Sequence, residues 1–385
     1  MFWPLQQDVI GNKELDILVD FIRKTKRFTQ FEKVREFEDA YSAWLGCRHS
    51  VFVNSGSSAN LLIIYACAEK FGWQPGDEVI VPALTWPTTV TPVMQAGLKP
   101  VFVDANLHDL SMDYDHLASR ITNKTRAIFL VHILGFPADI ARVKAIIGDR
   151  DIVLLEDTCE TQGGFYGDAR VGTFGLASSF SFYWGHHMTT VEGGMLCTDD
   201  EDLYKLFLLK RSHGLARELP PRYHAEIHAQ YPDIDFAFLF LTDGFNFRNT
   251  EFAAVLGLSQ LPKLDSFIDA RNRNYRRFLA MCRKHEEHLL VIDRPGISSF
   301  VLPFIMRDAA RRKPLQHFVR EHGIESRPLI SGNLLRQPFL AKYYEPDQFP
   351  NADFLHTHAF YIGNNQFVDD AKLDVLEDLL DRAFV

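Results

Sequence analysis

The sequence predicts an α/β protein: a mostly parallel sheet covered by helices on both faces, followed by a smaller α/β unit. Three observations carry this. Short, almost wholly apolar runs such as DEVIVPA, AIFLVHIL and DIVLLED recur through the first half, and such runs are strands buried on both faces. Helical stretches separate them, as right-handed crossovers between parallel strands require. From about residue 249 helical periods dominate, as in EFAAVLGLSQL and LDSFIDARNRNYRRFLAMCRKH.

The elements follow in order. Phe37, Tyr41 and Trp44 fall at i, i+4 and i+7 and mark the apolar stripe of an early helix. SVFVNS (50–55) reads as a strand ending at Gly56, with SSANLLIIYACAEKFG as the helix behind it. GDEVIVPA is the next strand, TPVMQAG closes a helix, and PVFVDA is a strand again. AIFLVHIL (127–134), DIVLLED (151–157) and SSFSFYW (178–184) continue the series. In the last third SSFVLPFIM reads as a strand and 313–322 as a helix. The division expected is 1–248 for the large domain and 249–385 for the small one.

Composition narrows the function. Of 385 residues, 41 are Lys or Arg and 50 are Asp or Glu, a formal net charge of −9. That balance repels a polyphosphate backbone and argues against nucleic-acid or membrane-surface binding. No apolar run approaches the roughly 18–20 residues of a membrane span, and MFWPLQQDV lacks the pattern of a secretory leader. The five cysteines form no CxC or CxxC pair, so free thiols in a cytoplasmic protein are expected, with no zinc or iron–sulfur site. The 32 phenylalanines predict large cores and aromatic walls around a site.

Four groups fall at the C-terminal ends of predicted strands, where open α/β sheets bind ligands. Asn54-Ser55-Gly56-Ser57-Ser58 offers helix N-terminal amides and hydroxyls to a phosphate; the same residues also make an ordinary capped helix start. Glu156-Asp157-Thr158-Cys159-Glu160 puts a carboxylate where it either meets solvent or holds a proton on a heterocyclic nitrogen. Trp86, after VIVPALT, either stacks on a planar ring or belongs to the core. Last is SFSFYWGHHMTTVEGG, whose adjacent histidines His186 and His187 lack the third ligand that a zinc site needs.

Together these segments carry a resemblance that covers nearly the whole chain. EFEDAYSAWLG, VNSGSSANLL, GDEVIVPALTW, PVFVDA, LLEDTCE, SFSFYWGHHMTTVEGG and GFNFRNTEFAAVLGLSQL, in this order, resemble the nucleotide-sugar aminotransferase family of the DegT/DnrJ/StrS group. The resemblance implies the fold-type-I, aspartate aminotransferase-like architecture: a mostly parallel seven-stranded sheet with a smaller C-terminal α/β domain. It implies pyridoxal 5′-phosphate (PLP), cycling with pyridoxamine 5′-phosphate (PMP), and a homodimer with shared active sites. Carried over by position, Gly56, Ser57 and Ser181 match phosphate-binding residues and Trp86 the aromatic stacked on the pyridine ring. Asp157 matches the partner of the ring nitrogen, and Glu160 stands where most members have Gln. Asn246 matches the residue that reaches the neighbouring subunit's phosphate. His213 and Arg327 sit where members approach the sugar or its diphosphate.

One departure decides the chemistry the resemblance implies. Family members bond the cofactor covalently through a lysine, and that position here is His186. An imidazole cannot hold that bond, but it can move a proton near neutral pH. The segment is similar to a small His-for-Lys branch that dehydrates 4-keto-6-deoxy sugars at C3. The implied substrate is GDP-4-keto-6-deoxy-D-mannose or a related nucleotide sugar, with L-glutamate as amino donor. A sister branch needs an iron–sulfur cluster, for which this chain lacks the cysteines. Two alternatives stay open: an aminotransferase that keeps the nitrogen on the sugar, and an inactive PLP-binding relative.

Overall fold

The apolar runs form strands in the order expected across residues 2–343, 345 and 348–384, which the computed structural model describes. These strands are β1 (His49–Val53), β2 (Glu78–Pro82), β3 (Lys99–Val103), β4 (Thr125–Val131), β5 (Val153–Asp157), β6 (Phe165–Tyr166), β7 (Ala169–Arg170), β8 (Ala177–Ser181), β9 (Gly194–Thr198), β10 (Val301–Ile305), β11 (Ser326–Pro328) and β12 (Ala359–Gly363). Seven of them form the main sheet in the order β1-β9-β8-β5-β4-β2-β3. Only β9 runs against its neighbours. The parallel strands therefore all end on one edge. Val131 pairs with Asp157 across that edge, and Asp157 with Ser179.

Helices return the chain between the parallel strands. The helix Gly56–Phe71 begins where Ser55 Oγ accepts the Ser58 amide at 3.0 Å and stops at Gly72, whose φ of 64° suits glycine. Between β8 and β9 there is no helix. The chain makes a loop, residues 182–193, closed by Phe182 N to Gly193 O (2.9 Å) and Thr190 N to Phe182 O (3.0 Å). The strand expected through Trp184 stops at Ser181, because Tyr183 N turns back to Ser181 Oγ (3.3 Å) and His186 N to Tyr183 O (2.9 Å). Tyr183 and Trp184 are exposed at that turn.

Aromatic packing fixes the floor beneath this loop. Phe37 and Tyr41, on the helix Glu32–Leu45, meet Phe52, Phe180 and Phe182 with centroids 5.0–5.5 Å apart. All five are fully buried. Each burial contributes about 1.5–3 kcal/mol, and favourable ring pairs add about 0.5–1.5. The helix Glu251–Gln260 joins the cluster, and Gly257 lets it lie directly on the Phe37 ring.

A second sheet, β10-β12-β11, is antiparallel. Its core takes in Trp3 from the other end of the chain, with Nε1 donating to Gly363 O at 3.0 Å. The helix expected at 313–322 runs from Ala309 to Glu321. Among the described residues no helix is long and apolar enough to cross a membrane.

Candidate active site

Beyond the C-terminal edge of the main sheet, Gly56 lies hard against two other segments. A Cβ at Gly56 would stand 2.8 Å from Ser181 Cβ and 3.0 Å from Cys159 Sγ. Only glycine permits this approach. It leaves the N-terminus of Gly56–Phe71 open, with Ser57 exposed beside it and Ser181 opposite. Helix N-terminal amides and two hydroxyls form a cradle suited to a phosphate.

Asp157 ends β5 with a buried carboxylate. Its Oδ2 accepts from Asn60 Nδ2 (2.8 Å) and Thr89 Oγ1 (2.9 Å), and Oδ1 from Cys159 N (3.2 Å). Ser179 Oγ donates to Asn60 Oδ1 at 2.5 Å, and Thr85 to Thr89 at 2.9 Å, so the donors are themselves held. Sequence reasoning found Asp157 but not Asn60 or Thr89. Their signal was present as polar residues within the first turns of helices that follow strand ends.

The pleat turns Glu156 to the opposite face. It is fully buried and accepts from His132 Nε2 (2.9 Å) and the amides of Gly172 (2.8 Å), Phe174 (2.7 Å) and Gly175 (2.6 Å). Burial alone would raise its pKa; His132 and the amides outweigh burial and hold it low. Glu160 is half-buried and accepts from Leu134 N at 2.9 Å. Burial pushes its carboxyl up to about 7, against the pull of that amide and with a push from Asp157.

Trp86 is 58% exposed, outside the core, just ahead of the helix Pro87–Gln95 that carries Thr89. Its indole is free to cover a planar group. His186 is half-buried, and its Nδ1 is shut off from solvent without a partner. Its ring stacks on Phe300, with centroids 5.1 Å apart at 27°. Burial pushes its pKa down to about 4, the Cys159 main chain opposes this, and the nearby Arg271 cation adds to it. The imidazole is therefore neutral at pH 7. His187 is turned into the core, where Nε2 lies 3.1 Å from Ser298 O and 3.0 Å from Ser298 Oγ.

The other expected residues lie further out. His213 (φ 63°) and Asn246 sit on two paired segments, with His213 N donating to Phe245 O at 2.7 Å and Arg248 Nε to Asn246 Oδ1 at 3.0 Å. Both are exposed. Neither makes a described hydrogen bond or ring contact with the Gly56–Asp157–His186 group. Arg327, exposed on β11, lies opposite Tyr361 of β12. Burial raises the Tyr361 pKa, Glu160 raises it further and Arg327 lowers it, so both charges act on this one phenol. Among the described residues no cluster of three metal-ligating side chains occurs.

A phosphate cradle, a carboxylate fixed at a strand end and an uncovered indole define a protein built to hold a planar, phosphorylated cofactor. The chain belongs to the DegT/DnrJ/EryC1/StrS aminotransferase family, whose profile matches residues 10–379. It is 36% identical over 370 residues to GDP-4-keto-6-deoxy-D-mannose 3-dehydratase of Escherichia coli O55:H7, covering 94% of this chain and 95% of that one. A solved histidine-to-asparagine variant of GDP-4-keto-6-deoxymannose-3-dehydratase with bound GDP-perosamine superposes with a TM-score of 0.91. The identity is 35%, covering 98% of this chain and all of that one. The same enzyme with a trapped PLP–glutamate geminal diamine gives a TM-score of 0.90 at 34% identity, with coverage of 98% and 100%. The fold is thus the PLP aminotransferase fold.

Proposed function

We propose that the chain is a PLP/PMP-dependent sugar 3-dehydratase acting on GDP-4-keto-6-deoxy-D-mannose. The sugar and L-glutamate give GDP-4-keto-3,6-dideoxy-D-mannose, 2-oxoglutarate and ammonia. The observation that carries this reading is His186, a neutral imidazole with an unpartnered ring nitrogen where aminotransferase relatives hold their cofactor through lysine.

The residues present fit the cofactor. The open helix N-terminus, Ser57 and Ser181 would donate to its phosphate, and Trp86 would cover its ring. Asp157, held by Asn60 and Thr89, would keep a proton on the ring nitrogen. When bound, the cofactor supplies an amine carrier and an electron sink. With the cofactor and sugar in place, His186 would take a proton at the C4′ carbon and deliver one to the departing C3 hydroxyl. Glu160 supports the same pocket, and His213 and Arg327 bind the sugar diphosphate, for which a guanidinium is well shaped.

Asn246 reaches the phosphate site of a neighbouring subunit, so the working unit is a homodimer, placed in the cytoplasm. The division into a large part, 1–248, and a small part, 249–385, belongs to this reading. It is supported by the position of the main sheet before residue 249 and of β10–β12 after it.

Incubation with PLP, L-glutamate and a panel of nucleotide-linked 4-keto-6-deoxy sugars, read by mass spectrometry, tests the proposal. The expected product has lost one oxygen and kept no nitrogen. An amino sugar would establish the aminotransferase alternative, and no turnover of any sugar would establish the inactive relative. A preference for another nucleotide would overturn GDP alone.

A further inference from the structure

We propose that Arg271 is a positioning residue for His186, clamping the peptide that carries the imidazole and the peptide whose ring stacks on it. The inference rests on the reading of His186 as the acid–base group.

Arg271 lies on the helix Leu264–Lys284, in line with the buried Leu264, Ile268, Tyr275 and Phe278. Its side chain is fully buried, and none of its described partners is a carboxylate. Instead Nη1 donates to Phe300 O (3.1 Å) and Asn364 O (2.6 Å), and Nη2 to His186 O (3.3 Å). Burial lowers its pKa to about 9, which leaves it charged at neutral pH. A buried cation without a counter-ion is costly, and a well-packed apolar side chain would serve stability at least as well. Stability alone therefore gives no reason for a guanidinium here.

What the planar fork provides is a fixed spacing between three segments. These are the loop between β8 and β9, the residue before β10 and the residue after β12. Phe300 is both a carbonyl partner of Arg271 and the ring stacked on His186. Gln6 Nε2 supports the same loop, at 3.4 Å from His186 O and 3.3 Å from Trp184 O. The imidazole is thereby held by its peptide and its face while its Nδ1 stays without a partner. The titratable groups around it are Arg271 on the long helix, Tyr183 and His187 on its own loop, and Cys159 after β5, with Asp157 and Glu160 beyond. The one cation among them that is fixed at neutral pH is Arg271, which favours the neutral imidazole.

Arg271→Met and Arg271→Lys test this, with turnover against pH and nuclear magnetic resonance titration of labelled histidine in the resting protein. In Arg271→Met kcat should fall about 10²-fold, the cost of a misplaced catalytic group, with KM little changed. The His186 titration should move to higher pH. Arg271→Lys keeps the charge and loses the fork, so the titration should return towards wild type while kcat stays low. A folded Arg271→Met protein with wild-type kcat and an unmoved His186 titration overturns the proposal. If Arg271→Met does not fold, Arg271→Lys decides: lowered kcat at unchanged KM supports the clamp, and wild-type kcat removes it. The titration is read without turnover, so it reports on Arg271 even if an active His186→Asn variant were to refute the base assignment.

Discussion

Glu160→Gln should remove a pH-dependent instability. The Glu160 carboxyl is pushed from 4.5 to about 7 by burial, with the Leu134 amide opposing and Asp157 adding to the shift. Its folded-state pKa is raised, so below pH 4.5 the group is protonated in both states and costs nothing. Between pH 4.5 and 7 the unfolded chain releases a proton that the folded one retains, and stability falls as pH rises. At 1.36 kcal/mol per unit the shift corresponds to about 3 kcal/mol, which partial solvent access reduces to about 1–3. Gln keeps an acceptor for Leu134 N and carries no charge. Denaturant unfolding of the cofactor-free wild type and variant, at one protein concentration from pH 5 to 8, measures the difference. The variant should gain about 1–3 kcal/mol relative to wild type across that range. His186 is present in both proteins, so its own opposite dependence between about pH 4 and 6.5 cancels. Parallel stability curves would refute a buried, proton-retaining Glu160.

Gly56→Ala must fit a methyl group 2.8 Å from Ser181 Cβ and 3.0 Å from Cys159 Sγ, which costs about 1–3 kcal/mol in overpacking and weakens PLP binding at least about tenfold. Unchanged PLP titration spectra would show that the cradle is elsewhere. The role proposed for His186 leaves the cofactor without a covalent bond, so the PLP form should be lost on gel filtration. Borohydride should then label no peptide, and a single labelled lysine peptide would sink this. In His186→Asn, PLP binding should persist while turnover falls about 10²–10⁴-fold, and near-wild-type release of product would remove His186 as the base. Dilution followed by equilibrium sedimentation should show PLP affinity falling with the dimer, whereas a monomer that binds PLP normally would refute the role given to Asn246.

Much of the scaffold was legible because buried parallel strands write themselves as apolar runs. Val79–Val81, Ala127–Val131 and Leu154–Leu155 needed no tertiary information. The antiparallel β9 was not read as a strand, since GMLCT follows a loop and carries neither a long apolar run nor clear alternation. At the site, residues on strand ends and helix starts could be found from position alone. Arg271 could not, because LDSFIDARNRNYRRFLAMCRK contains five arginines and reads as a solvated amphipathic helix. Its signal was register: Leu264, Ile268, Arg271, Tyr275 and Phe278 share one stripe, so this arginine is the one that faces inward. Gln6 and Trp3 were hidden for another reason, since their partners lie 180 and 360 residues away.

Glu156 and Asp157 are neighbours in sequence and share a charge, yet the pleat has committed them to separate duties. Glu156 is spent on four scaffold donors, whereas Asp157 ends its strand at the C-terminal edge of the sheet, between Asn60 and Thr89. A slip of β5 by one residue would exchange them, leaving a longer carboxylate at the edge and a shorter one short of His132 and the loop amides. The two carboxylates therefore fit their donors in one register of β5 and in no neighbouring one. Misalignment by one residue would leave a buried carboxylate poorly matched to its donors, a cost that adds to the loss of apolar burial on both faces of the strand.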